Sequence, residues 1–312
     1  MTLIQLEYLQ AVIRQGSFRA AADYVNISQP ALSMQIMALE EELGGKLLDR
    51  SRKPVSPTAL GLLVSAQAAE VLAGAAVIHE LARESAGDLS GDLHIGVIPT
   101  VAPYLVPLFL GPFTEKYPHL HFRLSEMTTE DILTALKIGS IDAGIISTGL
   151  NAPGINEIPL YREALLVYAH PDNPLLAKKF VEQADVPGNQ NLWLLKEGHC
   201  LRNQTMKLCA KISPEAAIYE AGSIETLRRI VQQQGGITII PETALLWMNE
   251  DELDWVRWFS SPEPQREIGL AVPRLSAKGR QTTALRQSIL EVLPAKFIDR
   301  QEGNIIKASK AA

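Results

Sequence analysis

The stretch Ser17-Phe18-Arg19-Ala20-Ala21-Ala22-Asp23-Tyr24-Val25-Asn26-Ile27-Ser28-Gln29-Pro30-Ala31-Leu32-Ser33-Met34-Gln35-Ile36-Met37-Ala38-Leu39-Glu40 decides how the chain begins to fold. Ser17 suits a helix N-cap, and the three alanines behind it make a face small enough for close helix packing. Asn26-Ile27-Ser28 interrupts that helix, and Pro30 pre-sets the first turn of the next. Upstream, Ile4, Leu6, Leu9, Val12 and Ile13 recur at helical spacing until Gly16 ends them. Three short helices around small residues make a helix-turn-helix. The outward side of the third carries Ser28, Gln29, Ser33 and Gln35, short polar groups of the kind that reach base edges and phosphates in a major groove.

An ordinary pair of surface helices would carry similar residues, so the context matters. Residues 44 to 58, Gly44-Gly45-Lys46 through Pro57-Thr58, read as a β-hairpin wing. It holds Lys46, Arg50, Arg52 and Lys53, opposed only by Asp49, where phosphates would flank a docked helix. The triplet Glu40-Glu41-Glu42 is expected on a solvated face away from DNA. From Thr58 to about Ser85 one long helix follows, with Leu60, Val64, Val71, Ile78 and Leu81 at heptad a and d positions and Gln67 and Gly74 interrupting the seam. A stripe that narrow on so long a helix implies a second copy, and Ser85 to Asp92 then forms a hinge rich in turn formers.

Beyond the hinge the pattern changes. Leu93–Ile98, Leu120–Met127 and Ile141–Ile146 read as strands, alternating with helices over residues 101–116 and 130–138. A second set has strands at Ala164–Ala169, Leu192–Leu195, Ala217–Glu220 and Gly236–Ile240 and a helix over Ser223–Gln234, before Ile268–Val272 and a closing helix from Lys278 return to the first. This predicts a multi-domain chain: an all-α winged unit over 1–58, a linker helix over 59–87, and an α/β domain over 91–300 with a mostly parallel sheet. Its two lobes, 91–162 with 267–300 and 163–266, would enclose a cleft. The polar tail from Gln301 to Ala312 is expected to be loose.

Composition sets limits. At 312 residues and a formal net charge of −6 the chain is not built to coat nucleic acid, which leaves room for a local basic patch. Met1 to Glu7 shows no secretory signal, and no apolar run reaches the roughly 18 to 20 residues that cross a bilayer, so a cytoplasmic protein without a membrane partner is expected. Two cysteines, Cys200 and Cys209, are too few for a stapled scaffold and too far apart for a Cys-x-x-Cys site. No metal and no cofactor are expected. Two buried thiols packing as small hydrophobes would look the same.

The chain resembles the LysR-type transcriptional regulators. Leu6-Glu7-Tyr8-Leu9, Ser17 to Ala22, Ser28-Gln29-Pro30-Ala31-Leu32-Ser33 and Leu39-Glu40-x-Glu42-Leu43-Gly44 carry the likeness at the N-terminus. His94-Ile95-Gly96-Val97-Ile98-Pro99-Thr100-Val101, Gly198-His199-Cys200-Leu201-Arg202-x-Gln204-x-Met206-x-x-Cys209, Ser223-x-Glu225-Thr226-Leu227-Arg228 and Pro264-x-Arg266-x-Ile268-Gly269-Leu270 extend it to the peroxide-sensing members of that family. One departure is Ser56-Pro57-Thr58-Ala59-Leu60-Gly61, where the family usually has Leu-Thr-x-x-Gly; it touches the wing and not the sensor.

The resemblance implies a winged helix-turn-helix, a dimerising linker and a two-lobe domain of the periplasmic-binding-protein type, assembled as a homodimer and from it a homotetramer. It implies an activator, not an enzyme, that binds double-stranded DNA and RNA polymerase and controls oxidative-stress genes. DNA contacts would fall on Arg19, Ser28, Gln29, Pro30, Ser33, Gln35, Arg50, Arg52, Lys53 and Thr58. Hydrogen peroxide would oxidise Cys200, with Cys209 as the resolving thiol and Thr100, Thr129, His199 and Arg266 shaping the pocket.

The chemistry needs a thiolate, and free cysteine titrates near 8.5. A helix opening at Gly198 would set Cys200 at its positive end, with His199, Arg202 and Arg266 adding donors or charge. Arg202 could equally be a surface cation and Thr129 a helix cap. If residues 200 to 209 are helical, the two thiols lie on opposite faces, roughly 13.5 Å apart along the axis, whereas a disulfide needs Cα atoms within about 7 Å. Bridging them would require refolding. A LysR-type regulator answering a small metabolite, and a thiol peroxidase, are the competing functions; a periplasmic solute-binding protein fits neither the absent signal nor the first 90 residues.

Overall fold

The computed structural model describes residues 1–83, 89–186, 192–208, 220–276, 278–300 and 303–308. Helix α1 (Leu3–Gln15) opens on a capping box, with Gln5 N donating to Thr2 Oγ1 at 3.2 Å and Thr2 N to Gln5 Oε1 at 3.0 Å. Helices α2 (Phe18–Tyr24) and α3 (Gln29–Glu42) begin at the serine caps Ser17 and Ser28. Leu6, Leu9, Val12, Ala21, Ala22, Leu32, Ile36 and Leu39 close one core among them. The wing follows as an antiparallel pair, β1 (Leu48–Asp49) and β2 (Ser56–Pro57).

Glu40 departs from the expected solvated triplet. It is only 3% exposed, whereas Glu41 and Glu42 face solvent. Its Oε1 accepts from Leu47 N at 2.9 Å and Leu48 N at 3.3 Å, and its Oε2 pairs with Lys46 Nζ at 3.1 Å and Arg50 Nη2 at 3.5 Å. The cause is helical phase: Glu40 lies four residues after buried Ile36, on the inward side of α3. A buried carboxylate needs donors, and the wing supplies them.

Helix α4 (Ala59–Arg83) packs on α1 through Ser65 and Ala68, with Gln10 Nε2 donating to the Ser65 carbonyl at 2.6 Å. Gly61 lets it start there, since a Cβ would collide with the Leu47 carbonyl oxygen. The opposite stripe is uncovered: Leu60, Val71 and Ile78 are exposed, the last to 68%.

The following sheet is mixed, not mostly parallel. Strands β3 (Gly91–Val97), β4 (Leu120–Glu126) and β5 (Ala143–Ser147) run parallel, joined by α5 (Ala102–Lys116) and α6 (Thr129–Lys137). Next to β5 comes β12 (Pro264–Pro273), antiparallel to it and to the long β6 (Ile155–Ala169). Local periodicity marks a strand but not its partner, so the two crossing strands run longer than the expected 164–169 and 268–272, and their antiparallel direction is set by pairing that periodicity does not carry. In their register Arg266 faces Glu163 and Glu267 faces Arg162, so two complementary ion pairs lie on opposite faces of the ribbon.

Strand β6 continues into the second half, where β10 (Ile237–Pro241) and β11 (Val256–Phe259) pair with it antiparallel and β7 (Phe180–Val181) adds to β11. A parallel pair, β8 (Leu194–Leu195) and β9 (Glu220–Ala221), and helices α7 (Cys200–Leu208), α8 (Ile224–Gln234) and α9 (Glu250–Leu253) complete this half. Helices α10 (Gly279–Val292) and α11 (Ala295–Ile298) return to the first. Each half has its own apolar cluster, and Tyr104 of α5 ties them by donating to Glu225 of α8 at 2.6 Å.

The tail is not loose where it is described. β13 (Asn304–Ile305) adds in parallel to the start of β12, Ile306 N donates to the Gln265 carbonyl at 2.8 Å, and Gln204 Nε2 of α7 donates to the Ile306 carbonyl at 2.7 Å. Polar side chains concealed a segment held by its backbone. The hinge at Ser85–Asp88, the strand start at 217–219 and Cys209 lie outside the described residues.

Candidate functional site

Cys200 opens α7, two residues after Gly198, whose φ of 91° turns the chain in a conformation that glycine adopts readily. The helix therefore starts at the cysteine and not at Gly198. Its thiol is 6% exposed, and Sγ lies 3.0 Å from Thr129 Oγ1. Thr129 is the first residue of α6, but the cap is Thr128, whose hydroxyl accepts from Asp131 N at 3.2 Å. Thr129 is thus released from capping and turned to the sulfur. The ends of two helices meet at one thiol.

Arg266 comes from the crossing strand β12 and is fully buried, as is Glu163 opposite it. Its Nε donates to Glu163 Oε1 at 2.9 Å, its Nη1 to Thr100 Oγ1 at 3.0 Å and its Nη2 to the Thr100 carbonyl at 3.1 Å. The second Glu163 oxygen accepts from Thr243 N at 3.0 Å and Thr243 Oγ1 at 2.6 Å. Two pairs, Thr129 with the thiol and Arg266 with Thr100, come from four separate segments, and the Arg266 charge acts on the thiol.

The electrostatics oppose a thiolate at rest. Burial pushes the Cys200 thiol up, and the Thr129 hydrogen bond and the Arg266 charge offset only part of that; Glu130 also raises it and Lys207 lowers it. His199 is buried with its own titration pushed down, chiefly by burial and then by Lys196, so it adds a neutral ring and not a charge. Among the described residues its Nε2 and the Oε1 of Gln204, on either side of Cys200 in sequence, are buried without hydrogen-bond partners. Arg202 turns its Nη1 to the Leu195 carbonyl at 2.7 Å. Among the described residues no group of three or more His, Cys, Asp or Glu could hold a metal.

The basic face is a second site. Arg19, Gln29, Pro30 and Gln35 are exposed on α2 and α3, and Arg52 and Lys53 on the wing. Arg50 connects the two, donating to Ser33 Oγ at 3.0 Å and stacking 4.7 Å from the Phe18 ring centroid. Ser28 is engaged as the α3 cap, and Thr58 donates to the Lys46 carbonyl at 2.6 Å while accepting from Gly61 N at 3.0 Å. A concave surface of about 780 Å³ runs between α3 and the wing, lined by Met37, Lys46, Arg50, Arg52 and Thr58.

Glu163 and Thr243 are functional positions that no sequence expectation names, and Glu40 is one expected on a solvated face. For Glu163 a signal existed: Arg162-Glu163 and Arg266-Glu267 are charge-complementary when read antiparallel. Thr243 has no such signal.

Residues 3–62 match the bacterial regulatory helix-turn-helix protein, lysR family, and residues 86–294 the LysR substrate binding domain. The DNA-binding transcriptional dual regulator OxyR of Escherichia coli is 37% identical over 315 residues, covering 100% of both chains. A full-length OxyR variant from Pseudomonas aeruginosa superposes with a TM-score of 0.82 at 30% identity, covering 94% of this chain and 99% of that one. A mutant OxyR from Corynebacterium glutamicum, solved bound to hydrogen peroxide, gives 0.61 at 31% identity over 93% and 92%. With a helix-turn-helix at one end, a mixed two-lobe sheet at the other and both matched along their lengths, the chain belongs to the LysR family of bacterial transcriptional regulators.

Proposed function

We propose that this chain is a hydrogen-peroxide-responsive transcriptional regulator whose switch is the oxidation of Cys200. The observation that carries it is the buried sulfur 3.0 Å from Thr129 Oγ1, within the field of Arg266. The sulfur attacks one peroxide oxygen, the O–O bond breaks, and the departing hydroxide takes a proton and leaves as water, giving a sulfenic acid. The Cys209 thiol then displaces a second water to form the disulfide. His199, next to Cys200 in sequence, supplies a buried Nε2 that has no hydrogen-bond partner among the described residues. Burial favours the neutral thiol at rest, which limits reaction with other electrophiles.

Residues 1–58 read as the DNA-binding unit, 59–87 as the dimerising helix and 91–300 as the sensor. The exposed stripe of α4 is the surface for a second copy. Arg19, Gln29, Gln35, Arg52 and Lys53 are the exposed groups that would meet double-stranded DNA. Because α7 occupies Cys200–Leu208, bridging to Cys209 must disrupt its helical turns, and repacking against neighbouring subunits of a tetramer would move the DNA-binding pairs. A cytoplasmic regulator working with RNA polymerase, and not an enzyme, is the reading these features support.

Footprinting wild type and Cys200→Ser on operator DNA, with and without micromolar peroxide, tests it. The wild-type footprint should change and the variant's should not. Identical reduced and oxidised footprints, or no loss of free thiol, would favour a metabolite-responsive regulator. Turnover of many peroxides per site with a thiol reductant would favour a peroxidase.

A further inference from the structure

Arg266 can only donate hydrogen bonds. Thr100 Oγ1 therefore accepts from it at 3.0 Å, and the single hydroxyl proton of Thr100 is left over. Among the described residues no acceptor takes that proton, although Thr100 is only 2% exposed. A buried donor without an acceptor is costly, and a ligand oxygen is the acceptor the site lacks. The polarity of Thr100 is thus set by the guanidinium, and the guanidinium is set in turn by Glu163. Four contacts fix that carboxylate: Arg266 Nε and Nη2 on Oε1, each at 2.9 Å, and Thr243 N and Oγ1 on Oε2 at 3.0 and 2.6 Å.

We propose that Glu163 and Thr243 are positioning residues of the thiol site, holding Arg266 so that Thr100 presents its proton to an oxygen of the bound oxidant. This rests on the peroxide reading above and deepens it. Neither residue touches the sulfur. The directed chain runs from Thr243 to Glu163, from Arg266 to Glu163 and to Thr100, and from Thr100 to the departing oxygen, which needs a donor as the O–O bond breaks.

A purely structural role has a different signature. Glu242, adjoining Thr243, accepts from Ala164 N at 3.2 Å, so the segment 242–243 and β6 clasp each other reciprocally. If Glu163 and Thr243 only hold that clasp, loosening it would expose Cys200 to every reagent alike. If they position Arg266, only the reaction needing a proton donor should suffer.

The experiment compares two reagents on the full-length chain carrying Cys209→Ser, so that Cys200 is the only thiol. Peroxide consumption of the thiol is timed beside alkylation by iodoacetamide, whose iodide leaves without protonation, at a pH high enough to ionise Cys200. Glu163→Gln should slow the peroxide reaction about tenfold and Thr243→Val about threefold, with alkylation unchanged and Thr243→Ser restoring the wild-type rate. Should Glu163→Gln not fold, the two Thr243 variants carry the test. Unchanged peroxide rates in folded variants, or both reactions changing by one common factor, would overturn the assignment. A parent protein that loses no thiol to peroxide would instead sink the peroxide reading itself.

Discussion

Glu40 and Glu163 are both buried carboxylates paired with arginine, but they face opposite ways. Glu40, though buried, holds groups at the surface: its partners are two wing amides and the cations Lys46 and Arg50, whose side chains reach solvent. Glu163 looks inward, to an arginine as buried as itself and a threonine hydroxyl. The first arrangement shapes a cationic surface while leaving the cations wet. The second seals one cation away from water, where its field acts on a small site undamped. One chain thus uses one chemical device for a broad surface and for a buried thiol site, and water access separates them.

The comparison breaks most readily at Arg266. Arg266→Ala should leave Glu163 buried and unpaired and cost about 3–5 kcal/mol in urea unfolding, whereas Glu163→Leu with Arg266→Met together should recover most of that. Thiol loss to peroxide should remain slow in both. A single variant destabilised by less than about 1 kcal/mol would show that Glu163 is not held as a charge.

A smaller effect is expected at Glu40, where Glu40→Gln should cost about 1–3 kcal/mol. Burial alone would raise its carboxyl, but the Leu47 and Leu48 amides and the Lys46 ammonium outweigh that and hold it below the usual carboxylate range. A depressed folded value means the carboxylate stabilises the fold above its unfolded value, near about 4.3, and loses that contribution as pH falls through the folded value. The gap between wild type and variant in urea midpoint should therefore be full at neutral pH and shrink in acid. A gap that widened in acid would contradict the hydrogen bonds to the wing.

The sequence made the helices of the DNA-binding unit readable because their caps, Ser17 and Ser28, and their apolar spacing are local signals. The thiol site was readable in its members and not in its assembly. Thr100, Thr129, Cys200 and Arg266 lie on segments far apart in the chain, and what joins them is long-range packing, of α7 against the start of α6 and of β12 against the end of β3, which periodicity does not encode. Sign was lost as well. A helix opening at Gly198 points to a lowered thiol, but the desolvation that opposes it depends on what packs over the sulfur. Glu40 is the opposite case, since the Ile36 to Glu40 spacing already placed it inward and only the run of three glutamates disguised it.

At the thiol, Thr129→Val keeps the shape and removes the hydroxyl that lowers Cys200, so the pH midpoint of iodoacetamide alkylation should move up and the peroxide rate at neutral pH fall about threefold to tenfold. A midpoint moving down would mean that the thiol donates to Thr129 and that the bond favours its neutral form.

The smallest effect separates cations that build the wing from cations whose proposed role is only to meet DNA. Arg50 is bound to Glu40, Ser33 and the Phe18 ring, so its removal disturbs shape and charge together. Arg52 is exposed, with one ion pair, to Asp49 at 3.1 Å. Exposed pairs contribute little, so Arg52→Ala should change stability by less than about 0.5 kcal/mol. If Arg52 sits on a phosphate, its loss should still lower the slope of log affinity against log salt by about 0.9, and do so equally for operator and random DNA. Arg50→Ala should lower that slope by a similar amount and also reduce discrimination between the two DNAs, because Ser33 on α3 loses the group that holds it to the wing. If Arg52→Ala altered discrimination too, the wing would be reading sequence, and the division between a shaped inner cation and a free outer one would fail on this surface.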